Sequence, residues 1–189
     1  MFALVESGNI TQMPKGNKGI TINSVQYPPT IYTLWSESER NAIGIYTVEI
    51  NNTNKKDEEW YINTNITYAF GSGKVTGTYG TATAKAIADT GSGDDLVKGL
   101  KTFKNEMINN QCASILAPSD WRVIREQETG SAMDSDWKTW RAAVRTKCNS
   151  MQTQVTNAAN VDALVALFTY TEQEDGSVTR PLGEFPVKE

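Results

Sequence analysis

The hydrophobic period of the chain changes near residue 90, and that change limits the fold more than any single motif. Ahead of it the period is two. In "WYINTNITYAF", Ile62, Ile66, Tyr68 and Phe70 fall on one side, with Asn63, Asn65 and Thr67 on the other. That is the alternation of a strand with one buried face. "GSG" at Gly71 to Gly73 turns the chain, and "KVTGTYGTATA" reads as the return strand. "FALVE", "GITINSVQY", "IYTLW" and "GIYTVEI" read as further strands. "SESERNAI" reads as a short helix, with Ser36 as its cap and Glu39 three residues on, the spacing of a capping box. "NNTNKKDEEW" is a polar loop. Residues 1–88 are therefore expected to form a small, mainly-β domain.

Beyond the glycine-rich stretch "ADTGSGDD", with a linker expected over 89–95, the period becomes helical. Leu96, Leu100, Phe103, Met107 and, less regularly, Ile108, Cys112 and Ile115 make one apolar stripe, ended by Pro118. "WRVIRE" alternates, placing Trp121, Val123 and Arg125 opposite Arg122 and Ile124. A second helix is expected from Ser135 to Ala158, with Trp137, Trp140, Val144, Cys148, Met151 and Val155 inward. At 1.5 Å per residue it spans roughly 36 Å. Asn160 caps a third helix carrying Val161, Leu164, Val165 and Phe168. The expected class is α+β: the mainly-β domain, then a helical-hairpin-like region over 96–171 and an extended tail over 172–189.

The chain of 189 residues has no histidine, which removes the usual general base, Ser-His-Asp triads and most zinc sites. No pair of carboxylates stands apart from caps and loops, and neither "GSG" carries the lysine of a phosphate loop. No enzyme activity, metal or cofactor is expected. Cys112 and Cys148 match no zinc spacing and read as two small buried side chains. The basic and acidic groups number 7 and 10 in residues 1–95, 9 and 6 in 96–150, and 2 and 6 in 151–189. A middle excess so small argues against nucleic acid as the partner. No apolar run approaches a membrane span, and Met1 to Val5 is too short for the core of a signal peptide.

"SDWRVIREQETGSAMDSDWKTWRAAVRT" holds Ser-Asp-Trp twice and three of the five tryptophans. The copies are not a repeat, since nothing around them matches in register. Asp120 suits a tight turn after the first helix. Asp134 or Ser135 suits the cap of the second, with Asp136 opposing its dipole. Capping explains Asp134 and Asp136 better than a divalent metal does. Both copies are expected to aim an indole into one apolar seam, so that Trp121, Trp137 and Trp140 cluster. Arg141 and Arg145, at i and i+4, share a face beside that seam and are expected to meet solvent.

"ILAPSDWRVIREQETG…WKTWRAAVR" resembles the phage tail assembly chaperone family. The matching residues are Leu116, Ser119, Asp120, Trp121, Trp137, Trp140, Arg141, Val144 and Arg145. "FALVESGNI" and "ITINSVQYPPTIYTLWSESERNAIGIYTV" resemble the front of tail-fibre assembly proteins. The chain departs from the pattern at Trp140, where the family has tyrosine, and in a longer, glycine-rich connection from Glu126 to Asp134. The resemblance implies a bacteriophage protein that binds a tail-fibre or other tail component and assists its folding, trimerisation or attachment. It would work in the host cytoplasm during assembly, away from membranes. Trp121, Trp137, Trp140, Arg141 and Arg145 are its candidate protein-binding residues, since tryptophan and arginine most often dominate interfaces. Self-association stays open. Two alternatives also stay open. One is a structural virion part, a tail adaptor or fibre-tip protein. The other is a carbohydrate-binding module using Trp60, Tyr61, Tyr68 or Tyr79.

Overall fold

The computed structural model describes residues 1–188 and is α+β, mainly β in its first part and helical in its second. The chain divides into two compact units between Thr83 and Ala84. No helix among the described residues is long and apolar enough to cross a membrane.

The first unit begins with β1 (Phe2–Glu6), β2 (Asn9–Gln12), β3 (Ile20–Ile22) and β4 (Val25–Tyr27). Two short helices follow, α1 (Ile31–Leu34) and α2 (Glu37–Ala42). Then come β5 (Ile45–Asn51), β6 (Tyr61–Ile62), β7 (Ile66–Gly71) and β8 (Lys74–Tyr79), with β9 (Thr83–Ala84) at the boundary. A five-stranded sheet runs β2-β1-β5-β8-β7, antiparallel except for the parallel pair β5 and β8. Three hairpins close through two-residue turns, Ser7-Gly8, Asn23-Ser24 and Ser72-Gly73, and all six residues have positive φ. Such turns match the right-handed twist of paired strands.

The sheet buries both faces. Leu4 and Ile45 join Ile20, Ile22, Ile31 and Tyr32 on one side, while Ala3, Val48 and Val75 join Tyr68 and Phe70 on the other. Gly77, in β8, leaves room for Tyr68, Ile50 and Ile66 to close over the strand; a Cβ there would lie 2.8–2.9 Å from each.

Three local expectations change. "GITINSVQY" is a hairpin, not one strand. "IYTLW" starts with a helical turn, in which the Ile31 and Tyr32 amides donate to the carbonyls of Pro28 and Pro29. The fixed φ of proline prepares that turn and outweighs the β preference of Ile and Tyr. Alternation holds from Ile66 to Phe70, but Ile62 is 59% exposed while Trp60 and Tyr61 are buried. The capping box of α2 is present: the Glu39 amide donates to Ser36 Oγ, and the Ser36 amide donates to the Glu39 carboxylate at 2.8 Å.

The second unit holds α3 (Leu100–Leu116), a 3-10 turn (Ala117–Ser119), α4 (Asp120–Thr129), α5 (Ser135–Asn157), α6 (Val161–Phe168) and a hairpin of β10 (Thr171–Glu172) and β11 (Val178–Thr179). Residues 89–95 are a closed turn within this unit: Thr90 and Val97 exchange backbone hydrogen bonds around a 3-10 turn at Gly93–Asp95. The expected linker is thus tied at both ends by backbone pairing.

Helix α3 buries Leu100, Lys104, Ile108 and Cys112, a strict four-residue spacing, and leaves Phe103 exposed; Leu96, expected in the stripe, is exposed ahead of the helix. Its stripe lies one position around from the expected one, because the stem of Lys104 fills a core position with Nζ 4.7 Å from the centre of the Phe168 ring. "WRVIRE" is helical, not alternating, and α4 ends at Gly130 with φ +68°. Helices α3 and α5 pack together as the expected hairpin-like pair. The tail does not fray: Leu182 is buried, its amide donates to the Leu167 carbonyl at 3.1 Å, and Lys147 Nζ donates to the Leu182 carbonyl at 2.8 Å.

Cys112 and Cys148 are both buried free thiols on these packed helices. Burial, followed by the hydrogen bond with Cys112, pushes the Cys148 thiol up to about 11. An unfolded thiol ionises near 8.5–9, so stability is constant below that range and falls as pH rises from there toward the folded value. Native protein at pH 8 is expected to resist iodoacetamide at both cysteines and to react fully in urea. Fast native labelling at either position would contradict the buried pair.

Candidate functional site

The first Ser-Asp-Trp sits where α3 gives way to α4. The last carbonyls of a helix lack intrahelical donors and carry the negative end of its dipole. Here they meet Arg141, nearly two turns into α5. Its guanidinium donates to the Leu116 carbonyl at 3.0 Å, to Ser119 Oγ, and to Asp120 Oδ1 at 2.6 Å. Ser119 Oγ donates in turn to the Leu116 carbonyl at 2.7 Å. The Arg141 side chain is only 5% exposed, whereas Asp120 is 55% exposed. The expectation that Arg141 faces solvent is therefore wrong. It is a structural clamp across twenty residues of chain, placed where a buried guanidinium can satisfy three acceptors at once. Arg145, one turn on, is exposed and makes no ion pair among the described residues.

The second Ser-Asp-Trp starts α5 as expected. Asp134 is the cap, its Oδ1 accepting from the Asp136 amide at 2.9 Å. Trp137 and Trp140, three residues apart, meet edge to face at 5.5 Å between ring centres. The indole N–H of Trp140 donates to the Pro186 carbonyl at 2.9 Å, which fastens the tail to this helix.

Trp121 does not join them in an apolar seam. It is 50% exposed, and what links it to Trp137 is Arg122, whose guanidinium lies 4.6 Å from the Trp121 ring and 4.4 Å from the Trp137 ring. The reason is the helical form of "WRVIRE". An alternating segment would have put Arg122 opposite Trp121, but a helix leaves neighbouring residues only 100° apart. Lys138 Nζ donates to Glu126 Oε1 at 2.6 Å, holding α5 to α4 and keeping the Glu126 carboxyl below its ordinary range.

Between α4 and the approach to α5 lies a cleft of about 290 Å³, lined by Trp121, Arg122, Arg125, Ser131, Met133 and Asp134. Arg125 reaches across it to donate to Ser131 Oγ at 2.6 Å. Arg122 and Arg125 were not among the sequence candidates. Their three-residue spacing marks one face once the segment is read as a helix.

No group of three or more Cys, Asp or Glu among the described residues could hold a metal ion. Of the four aromatics offered for sugar stacking, Trp60 and Tyr61 are buried, Tyr68 packs into the core, and Tyr79 is half-buried with Lys55 Nζ 5.8 Å from its ring centre. No protein-family model, curated protein or solved structure matches the chain.

Proposed function

We propose that the chain is a protein-binding factor of bacteriophage tail assembly. It engages a tail-fibre or other tail protein through the face made by Trp121, Arg122 and Trp137, and it acts in the host cytoplasm while tails are built. The single observation that carries this reading is the half-exposed Trp121 stacked on a guanidinium beside a second tryptophan. Trp121 is exposed and Arg122 and Trp137 beside it are partly exposed, and large aromatics and arginines are the residues that dominate protein interfaces. Three of the residues that resemble the tail assembly chaperones meet beside this face, where Ser119 and Asp120 hold Arg141. In this reading Arg141 shapes the face, while Trp121 and Trp137 meet the partner.

Trp121→Ala tests it. Half of that indole is already in solvent, so the variant is expected to lose no more than about 1 kcal/mol of stability. Phage carrying it should nonetheless yield fewer tailed, infective particles. Normal assembly with a stable Trp121→Ala protein would sink the proposal. Mass spectrometry of purified particles separates the chaperone from the virion part: a chaperone is absent, an adaptor is present in fixed copy number.

A further inference from the structure

We infer that the cleft beside Trp121 is a docking site for an acidic, aromatic-bearing peptide segment, an inference that rests on the protein-binding reading above and names the chemistry of the partner.

The argument is one of charge and geometry. The other two arginines of this unit that are held by side chains have carboxylate partners: Arg141 has Asp120 and Arg180 has Glu184. Arg122 and Arg125 have none among the described residues, and both line the cleft. Asp134, its one carboxylate, already accepts from the Asp136 amide as the cap of α5. The cleft is thus lined by two guanidiniums and a single carboxylate, which leaves it with a positive excess. Arg122 is also pre-positioned. Its guanidinium carbon lies 4.6 Å from the Trp121 ring centre and 4.4 Å from that of Trp137, and a guanidinium is the group that binds a carboxylate through paired hydrogen bonds. Arg125, on the same face of α4, is held toward Ser131. The exposed indole of Trp121 supplies an apolar wall next to both charges, so a ligand with carboxylates flanking an aromatic ring fits better than a bare anion. A long polyanion fits poorly, because the chain as a whole carries a formal charge of −4.

The test is a chemical-shift titration of the full chain, following the indole N–H signals of Trp121 and Trp137. Three probes are used: a capped pentapeptide with two aspartates flanking phenylalanine, its counterpart with two asparagines, and a short DNA duplex. The acidic peptide should bind at least about tenfold more tightly than the asparagine peptide, since each carboxylate gains a charge-assisted bond. Its affinity should fall with added salt. The double variant Arg122→Gln, Arg125→Gln should lose this preference, and Arg145→Gln, outside the cleft, should keep it. The Trp140 indole N–H, bonded to the Pro186 carbonyl, reports that each variant is folded. If the double variant unfolds, Arg125→Gln alone carries the test, because that side chain is exposed. Equal affinity for the two peptides, or a preference that survives the arginine substitutions, overturns the inference. Displacement of the acidic peptide by an equal amount of duplex overturns it in favour of nucleic acid. Selective peptide binding alongside normal phage assembly by the double variant would keep the site and reject the tail-assembly reading.

Discussion

Arg141→Ala is expected to cost about 3 kcal/mol of stability, because it removes a donor from the buried Ser119, from the Leu116 carbonyl and from Asp120 in one step. The loss has two parts. Ser119 Oγ loses its donor in a site that water reaches poorly, with the Leu116 carbonyl keeping only the Ser119 hydroxyl, and the aliphatic stem that fills the space under them is gone. Arg141→Lys should recover little of it, since one ammonium cannot span three acceptors that a planar fork reaches together. Asp120→Asn should cost only about 1 kcal/mol, for Asp120 is more than half exposed and Arg141 keeps its other two bonds. Arg145→Ala should change stability by no more than about 0.5 kcal/mol, as is usual for an exposed side chain without a partner. Urea unfolding of the four variants checks the ranking. Equal midpoints for Arg141→Ala and Arg145→Ala would refute the clamp.

Gly99→Ala is expected to cost about 3 kcal/mol, at the upper end for forcing atoms into a packed site. The backbone at Gly99 is extended, with φ −86° and ψ 173°, so the requirement is for room and not for a left-handed conformation. A Cβ there would overlap the Ala88 carbonyl group, which is backbone and cannot swing aside as a side chain could. That close approach lets segment 86–89 cap α3. The Leu100 amide donates to the Ala86 carbonyl at 3.0 Å and the Lys101 amide to the Ile87 carbonyl at 3.1 Å. The Gly99 amide itself donates to Asp89 Oδ1 at 2.7 Å. Pushing the segments apart weakens all three bonds, at a helix end whose N–H groups have no other partners.

The Asp89 carboxyl adds a pH signature. The Gly99 amide, then the Thr102 hydroxyl and the charge of Lys98, hold it below the ordinary carboxylate range. A depressed carboxyl contributes stability that is present above its unfolded value and is lost as pH falls through the folded one. The acid limb of the stability curve should therefore flatten in Gly99→Ala. Gly93→Ala, in open space but at φ +59°, should cost only about 1 kcal/mol. Should the two glycine variants unfold together, the packing account of Gly99 fails.

The features legible in the sequence are those whose partners lie within a few residues. The Ser36–Glu39 box, the Ser72-Gly73 turn, the Asp134 and Asn160 caps and the inward series Val144, Cys148, Met151, Val155 were all readable as written. So was the change from strands to helices, because periodicity is a local property of the chain. "IYTLW" and "WRVIRE" were misread for a shared reason: their residue types suit strands, and propensity is a weak guide once neighbouring prolines or a docked helix favour a turn of helix.

By itself, then, the sequence determined the class of fold, the places where α2, α5 and α6 start, and the lack of any histidine chemistry. It also put tryptophan and arginine together in one region. Which of those side chains is core and which is surface was decided only by the tertiary structure. Arg141 and Arg145 are identical in type and one turn apart, yet the first is buried because the carbonyl end of α3 happens to reach it. Trp121 and Trp137 follow the same dipeptide, yet the first stays in solvent because its helix turns it outward onto Arg122. Burial depends on what stands opposite a residue, and for Arg141 that partner comes from another element, more than twenty residues away along the chain.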